Sequence, residues 1–313
     1  MSFASASGYG SLQESPLARP YYHDRIIQKA YENDFLPMIA NTAIADRLTK
    51  CYQVIQFMEE PEVGAWRKYE MNQEIVPDHL TPGGFTMRIC NQAYKALKFD
   101  TQDVKMVCDR WNSFEESFLN SAWQGLAQMW RCYVLDGMVL ETDKCNKGCS
   151  AGKFGDINVG CTGAPRQITG ASFAREVAKL KRILVERNRW VEGQMFMILP
   201  PAIQEMIVET PYANALEMGS CVNYSLLVSG QLPGRIVGFD VFQTNDVPSR
   251  MDGGQPAYYI IVGHRDAFAF AGDIVESRIV TPSDYFAQVY QMLAVWGGKM
   301  IYPDAMAIGY WTI

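Results

Sequence analysis

Residues 193–207 read GQMFMILPPAIQEMI, an apolar run that stops at a double proline and then continues with helical spacing. The run Met195–Leu199 is predicted to be a short buried strand. A helix is predicted to start at the prolines, because proline suits the first helical turn, where its missing N–H removes no bond. Enzymes built from alternating strands and helices usually carry a glycine-rich loop or a nucleophile at such a strand end. This turn carries no reactive group, which indicates a packing role.

The composition is that of a globular chain with two or more modules. The chain has 313 residues, of which 48% are hydrophobic and 20% are charged. Its net charge of -6 argues against a protein whose main task is to hold a nucleic-acid backbone. No apolar run reaches the roughly 18 to 20 residues that span a bilayer, and residues 1–20 lack the features of a secretory signal. We therefore expect no membrane association and interpret residues 1–20 as a flexible arm.

The cysteines indicate a reducing environment. There are eight of them, and a chain of this length without a secretion signal is expected to keep most as free thiols. Cys145, Cys149 and Cys161 lie in the glycine-rich stretch 142–165 and are weak candidates for a metal site, since three thiolates at this spacing can bind zinc. No fourth ligand is visible beside them. Free thiols are therefore predicted, with a metal or a disulfide left as alternatives.

The sequence contains no complete catalytic motif. Residues 148–154, GCSAGKF, come nearest to a phosphate-binding loop, but they have three rather than four residues between the glycines and a Phe after the Lys. His264 precedes Arg265 and Asp266 at a predicted strand-to-helix turn, where capping or packing is the more common role for a single histidine. We therefore predict no enzyme activity, no catalytic residue and no cofactor.

The first half of the chain predicts a flap followed by a long helix. Imperfect alternation over residues 64–94, with turn residues at Pro77 and at 82–84, predicts a two-stranded flap, which is marginal alone in water and needs a surface to lie on. From residue 101 to about 140 the spacing changes to threes and fours, which predicts one helix of about 30 to 38 residues. No second helix of that length is predicted, so it is interpreted as a spine. Its apolar stripe comprises Val107, Trp111, Phe114, Phe118, Ala122, Leu126, Met129 and Tyr133, with Trp123, Trp130 and Val134 on further faces.

The second half predicts an α/β region. A helix is expected over residues 171–191, strands over residues 234–245 and 257–263, and a short helix over residues 265–272. The C-terminal residues are expected to form two strands, with breaks at residues 297–298 and 303–304.

This order of parts resembles the major capsid proteins of tailed bacteriophages with the HK97-type fold. The stretches that carry the resemblance are FDTQDVKMVCDRWNSFEES (99–117), ILVERNRWVEGQMFMILPPAIQEMI (183–207), GRIVGFDVFQTNDVP (234–248), IIVGHRDAFAFAGDIVESRIV (260–280) and YQMLAVWGGKMIYPDAMAIGYW (290–311). The resemblance implies an α+β fold with an N-terminal arm (1–50), an extended β-loop (51–100), a peripheral domain holding the spine helix (101–166 and 286–313), and an α/β axial domain (167–285).

The resemblance also implies a function and partners. The expected role is a coat protein that self-assembles, as hexamers and pentamers, into the icosahedral head shell of a tailed double-stranded DNA phage. The shell would enclose the genome without reading its sequence, and it would be assembled in the host cytoplasm. Because no helical extension precedes the arm, a separate scaffolding protein is expected, together with portal and decoration proteins. The extended loop is expected to contact a neighbouring subunit through Trp66, Lys68, Tyr69, Pro82, Phe85 and Arg88.

Three other interpretations remain open at this point. The first is the shell of an encapsulin-type nanocompartment, which has the same fold and encloses an enzyme. The second, from a different class, is a metal or redox enzyme centred on Cys145, Cys149 and Cys161. The third is a structural protein associated with a phage tail or portal.

Overall fold

The computed structural model describes residues 35–42, 54–58, 67–71, 75, 84–100, 111–208, 235–283 and 286–313. Within these ranges the chain forms helices and mixed β-sheets, so the α+β prediction is confirmed. The helices are α1 (Leu36–Ile39), α2 (Trp111–Glu141), α3 (Phe173–Glu186) and α4 (Pro201–Val208). The strands are β1 (Val54–Met58), β2 (Gly84–Arg88), β3 (Asn91–Asp100), β4 (Arg166–Gln167), β5 (Met195–Leu199), β6 (Arg235–Ile236), β7 (Phe239–Gln243), β8 (Ser249–Asp252), β9 (Gln255–His264), β10 (Phe268–Val280), β11 (Ala287–Met300) and β12 (Met306–Thr312).

A seven-stranded sheet is built around β5. Its order is β4-β12-β9-β5-β7-β6, with β8 paired to β9, and β5 runs parallel to β7 and antiparallel to β9. All five residues of β5 are buried, because Phe196 and Ile198 face one core while Met195, Met197 and Leu199 face another. The helix α4 begins at Pro201 directly after the strand. The strand-to-helix turn predicted from residues 193–207 is therefore confirmed.

Helix α3 covers one face of this sheet. Its apolar positions Phe173, Val177, Leu180 and Leu184 are all buried, as the spacing of threes and fours predicts. Ile203 and Met206 of α4 join the same core, and so do Ala151, Ile157 and Val159 of the glycine-rich stretch. The sheet is therefore closed on this side by two helices and one loop.

Helix α2 lies between the seven-stranded sheet and a second sheet of order β10-β11-β3. It is 31 residues long, which confirms the predicted length, and the other described helices are much shorter. The predicted stripe is confirmed in part, since Leu126 and Tyr133 pack against the core, whereas Met129 is 39% exposed. Trp130 and Val134, predicted on further faces, are buried together with Ala127, Leu135 and Met138. More than one face is covered because this helix contacts two sheets.

Residues 35–42 dock at the junction of the two sheets. Leu36 and Ile39 of α1 are buried in the core that surrounds α2. Asn41 extends the three-stranded sheet by one bridge, since its N–H donates to the Phe268 carbonyl and its own carbonyl accepts from the Phe270 N–H. Residues 1–34 and 43–50 of the predicted arm lie outside the described residues.

The predicted flap has its base in a two-stranded antiparallel sheet in which Val54 pairs with Arg88 and Met58 with Gly84. Met87 and Ile89 anchor it, because both are buried against Ala269 and Ala271 of β10. At this crossing a Cβ on Gly297 would lie 2.5 Å from the Arg88 carbonyl oxygen. Glycine at residue 297 therefore permits a close backbone approach and does not end a strand, so the predicted break at residues 297–298 is wrong and β11 continues to Met300.

Two other predictions for the C-terminal half had different outcomes. The helix predicted over residues 265–272 is wrong, since only Arg265–Ala267 form a helical turn and β10 begins at Phe268. Strand pairing with β11 buries Phe268, Ala269, Phe270 and Ala271 together, and this overrides the helical spacing. The break at residues 303–304 is confirmed by the 3-10 turn Pro303–Ala305. No described helix is long and apolar enough to cross a membrane.

Candidate functional site

The extended loop presents apolar side chains away from the core. Among the residues predicted to make contacts there, Lys68, Tyr69 and Arg88 are exposed and Phe85 is half-buried, while Trp66 and Pro82 lie outside the described residues. The structure adds Met71 and Ile75, which are 92% and 81% exposed. Sequence analysis missed them because an isolated apolar residue in a polar segment gives no periodic signal. Apolar side chains exposed together on one projecting segment are typical of an association surface.

An apolar groove lies between α2 and the three-stranded sheet. It has a volume of about 660 Å³, and its lining includes Trp123 and Met129 from the helix and Tyr94, Leu97 and Met292 from the sheet. Trp123 is 47% exposed and Tyr94 is 81% exposed, so the groove is open along its rim. Most of its described lining residues are apolar, and Lys95 is the charged residue among them.

The three-stranded sheet extends beyond its own core. The first four residues of β10 are buried, but residues 275–279 are exposed, including the apolar Val275 and Ile279. Phe286, directly before β11, is 92% exposed. A sheet that projects in this way leaves both its faces and its edges for contact with another molecule.

A buried ion pair joins α2 to the seven-stranded sheet. The Arg131 guanidinium contacts Asp246 through Nε and Nη2, each 3.0 Å from Oδ2, and Gln128 Nε2 donates to Oδ1 at 2.8 Å. Both charged side chains are more than nine-tenths buried. Such a pair is costly to break, since either partner left alone would be a buried, uncompensated charge. It fixes the helix on the turn that precedes β8.

The glycine-rich stretch 142–165 is closed by a disulfide. Cys149 and Cys161 form this bond with their Cα atoms 5.3 Å apart, whereas Cys145 is free and exposed. For this pair the structure has the disulfide that the sequence left as an alternative, in place of the predicted free thiols. Two bonded sulfurs cannot supply thiolate ligands, and the described residues contain no other cluster of metal-binding side chains.

The phosphate-loop likeness of residues 148–154 also has a structural explanation. The Lys153 N–H, which a phosphate would need, donates to Glu186 Oε2 at 3.0 Å. The glycines at residues 148 and 152 have φ angles of 92° and 89°, a region that side chains disfavour. The Glu186 carboxylate takes the place that a phosphate would occupy, and the turns of this loop require glycine. The motif is therefore explained without a bound nucleotide.

His264 caps the turn that precedes β10, as its position in the sequence suggested. Its Nδ1 accepts a hydrogen bond from the Asp266 N–H at 3.1 Å, and its Nε2 lies 2.6 Å from Gln194 Oε1. A neutral imidazole satisfies both contacts, because Nδ1 accepts while Nε2 donates. Burial lowers the pKa of His264 below its usual 6.5. The residue therefore acts in structure, and its neutral form is the one that fits.

Comparison with known proteins rests on structure. No protein-family model matches the sequence, and no curated protein matches it. A solved structure from Mycobacterium phage Che8 superposes with a TM-score of 0.70 at 13% identity, covering 93% of this chain and 96% of that chain. The capsid of Ralstonia phage GP4 gives a TM-score of 0.64 at 10% identity over 99% and 97% of the two chains. The mature capsid of bacteriophage PhiM1 gives 0.63 at 10% identity over 98% and 95%.

The chain therefore has the fold of phage capsid proteins, the HK97-like fold, over nearly its whole length. The resemblance in fold inferred from the sequence is confirmed. Because identity is low, the match extends to the order and packing of the elements and not to individual surface residues.

Proposed function

We propose that this chain is a major capsid protein that self-assembles into the icosahedral head of a tailed double-stranded DNA phage. The observation that carries the proposal is the whole-chain match to capsid subunits, which covers at least 93% of this chain and 95% of the Che8, PhiM1 and GP4 chains. The role is structural, and the shell is the virion capsid.

The surfaces of the subunit support self-association. In a single subunit the extended loop and the groove each leave apolar side chains exposed to water, where burying them would be favourable. These side chains include Met71, Ile75, Tyr94 and Trp123. Both surfaces would be covered in a closed shell of hexamers and pentamers, where many contacts of modest area act together. In that arrangement the loop residues Trp66, Lys68, Tyr69, Pro82, Phe85 and Arg88 contact a neighbouring subunit, and the arm crosses another.

The domains of the proposed subunit follow the capsid order. Residues 1–50 are the arm, 51–100 the extended loop, 101–166 and 286–313 the peripheral domain, and 167–285 the axial domain. Helix α2 and β11 share one core, which supports the peripheral assignment. Strand β12 pairs with β9 and so continues from the peripheral segment into the axial sheet. A scaffolding protein, a portal and decoration proteins complete the proposed head, which is assembled in the host cytoplasm.

The test is assembly of the purified chain. The protein is expressed with and without the scaffolding protein from the same genome and examined by electron microscopy and sedimentation. Closed shells of uniform diameter are expected in at least one of the two preparations. A compact monomer in both would contradict the proposal, and shells that package an enzyme rather than DNA would favour the nanocompartment alternative.

A further inference from the structure

The glycine-rich loop forms one side of the C-terminal strand. Lys147 bridges to Ile308 of β12, and the Tyr310 N–H donates to the Val159 carbonyl at 2.9 Å. Gly160 lies directly against the Tyr310 carbonyl, where no side chain would fit. Beneath these contacts Val159 is fully buried. The loop therefore covers the strand edge that faces away from β9.

The disulfide joins the two parts of the loop that make these contacts. Cys149 follows Lys147 by two residues and Cys161 follows Val159 by two, and the bond closes a segment with a sequence separation of 12. Both cysteines are partly exposed, and their neighbours Ser150 and Thr162 are exposed. The bond lies at the surface, above the apolar core.

This placement conflicts with the compartment in which such a chain would be made. Intracellular thiols are kept reduced by glutathione and thioredoxin, and stable disulfides are uncommon there. A bond between partly exposed cysteines is one that the surrounding medium can open and close.

We propose that the bond between Cys149 and Cys161 is a reversible oxidative modification that staples the loop onto β12 after the subunit leaves a reducing medium. The oxidant is a small disulfide such as oxidised glutathione. One cysteine thiolate attacks it and releases one glutathione thiolate, and the second cysteine then attacks the mixed disulfide and releases the other. Two cysteine thiols are oxidised to one disulfide, and one small disulfide is reduced to two thiols.

The staple acts by restricting the unfolded loop. Closing a segment of this length removes conformations from the unfolded chain, so the oxidised subunit is the more stable form. The timing rests on the proposed function, because a coat made inside a cell meets oxidising medium when the cell lyses. The subunit would therefore be less stable during assembly and more stable afterwards.

The experiment measures thiol state and melting temperature on the 313-residue subunit. Samples equilibrated in reduced or oxidised glutathione are alkylated without unfolding, digested and analysed by mass spectrometry. Melting is followed on the same samples for the natural sequence, for Cys149→Ser and for Cys145→Ser. Cys145 lies in the same loop and is free, so its substitution is the matched control.

Oxidation is expected to protect Cys149 and Cys161 from alkylation, to leave Cys145 reactive, and to raise the melting temperature by on the order of 5 °C. Cys145→Ser should keep this difference, and Cys149→Ser should abolish it while melting close to the reduced natural protein. Either of two results would contradict the proposed disulfide. One is alkylation of Cys149 and Cys161 under oxidising conditions, and the other is a melting temperature that does not change with the redox state. Because these measurements use the unassembled subunit, they test the proposed disulfide whether or not the protein forms shells.

Discussion

At the scale of single residues, the ion pair of Arg131 and Asp246 shows how two parts of the molecule are held in register. The guanidinium and the carboxylate are almost fully buried, and Gln128 donates to the same carboxylate. By contrast, the pair of Arg182 and Asp156 is about half exposed on both sides. These two pairs have the same chemistry, one in the interior and one exposed to water, so comparing them separates the effect of burial from that of charge.

Asp246→Ala is expected to destabilise the subunit by about 3 to 5 kcal/mol, because it leaves the buried Arg131 without this carboxylate. Asp156→Ala is the matched control and should destabilise the subunit far less, since solvent screens the exposed pair. Urea unfolding followed by tryptophan fluorescence gives both values. Equal losses in the two variants would show that the buried pair does not fix α2 on the sheet.

His264 predicts a pH dependence. Burial lowers its pKa below 6.5, so the unfolded chain binds the proton more readily than the folded one as the pH falls below 6.5. The stability associated with neutral His264 is therefore present above pH 6.5 and is lost as the pH falls through the folded pKa.

Comparing His264→Asn with the natural protein tests this dependence. An Asn side chain can still accept from the Asp266 N–H but does not titrate. The melting temperature of the natural protein should fall more steeply with acidification than that of the variant. Parallel curves would show that His264 contributes nothing to the pH dependence.

At the scale of elements, the crossing of β2 over β11 depends on residue 297. The extended loop is anchored where the Arg88 carbonyl meets Gly297, beside the buried Met87 and Ile89. A side chain at residue 297 would push apart the backbones of β2 and β11, and neither strand can easily move. The anchor of the loop is therefore sterically defined and does not rely on a charge.

Gly297→Ala is expected to destabilise the subunit by about 1 to 3 kcal/mol, because its Cβ would overlap the Arg88 carbonyl. Gly125→Ala is the control, since Gly125 lies within α2 with open space around it, and alanine there should stabilise the helix by about 0.5 to 1 kcal/mol. Thermal melting of the two variants should move in opposite directions. If both were stabilised, the close approach at residue 297 would be excluded.

Prediction from sequence succeeded for elements that local spacing specifies. The turn from Met195–Leu199 into Pro201–Val208 and the length of α2 could be predicted because burial pattern and proline placement are local properties. The strand at Phe268 could not, because its identity depends on pairing with β11. The role of Gly297 depends on a strand some 200 residues earlier in the chain, and the partner of Cys149 could not be chosen from spacing among several cysteines.

At the scale of the whole molecule, several strongly exposed apolar side chains of the described residues lie on the extended loop, before β11 and along the groove. Met71 and Ile75 lie on the extended loop, Phe286 precedes β11, and Trp123 and Tyr94 line the groove beside α2. The core itself is closed on both faces of the seven-stranded sheet. The proposed self-assembly would bury these side chains further.

Removing residues 61–84 should leave a folded, soluble subunit that no longer assembles, because the core contacts of Met87 and Ile89 lie outside the deletion. Replacing Tyr69, Met71 and Ile75 together by Ser is a milder change and should weaken assembly without lowering the melting temperature. Sedimentation and electron microscopy report assembly, and circular dichroism reports folding. Normal shells from either variant would show that the extended loop does not join subunits.

Strand β12 has a consequence for how the protein is made. All seven of its residues are buried, and it lies between β9 and β4 within the sheet. A nascent chain cannot complete that layer until residues 306–312 have emerged from the ribosome, so this edge of β9 stays unpaired until then. Premature termination upstream of Met306 would yield polypeptides that keep the edge exposed and tend to aggregate rather than fold.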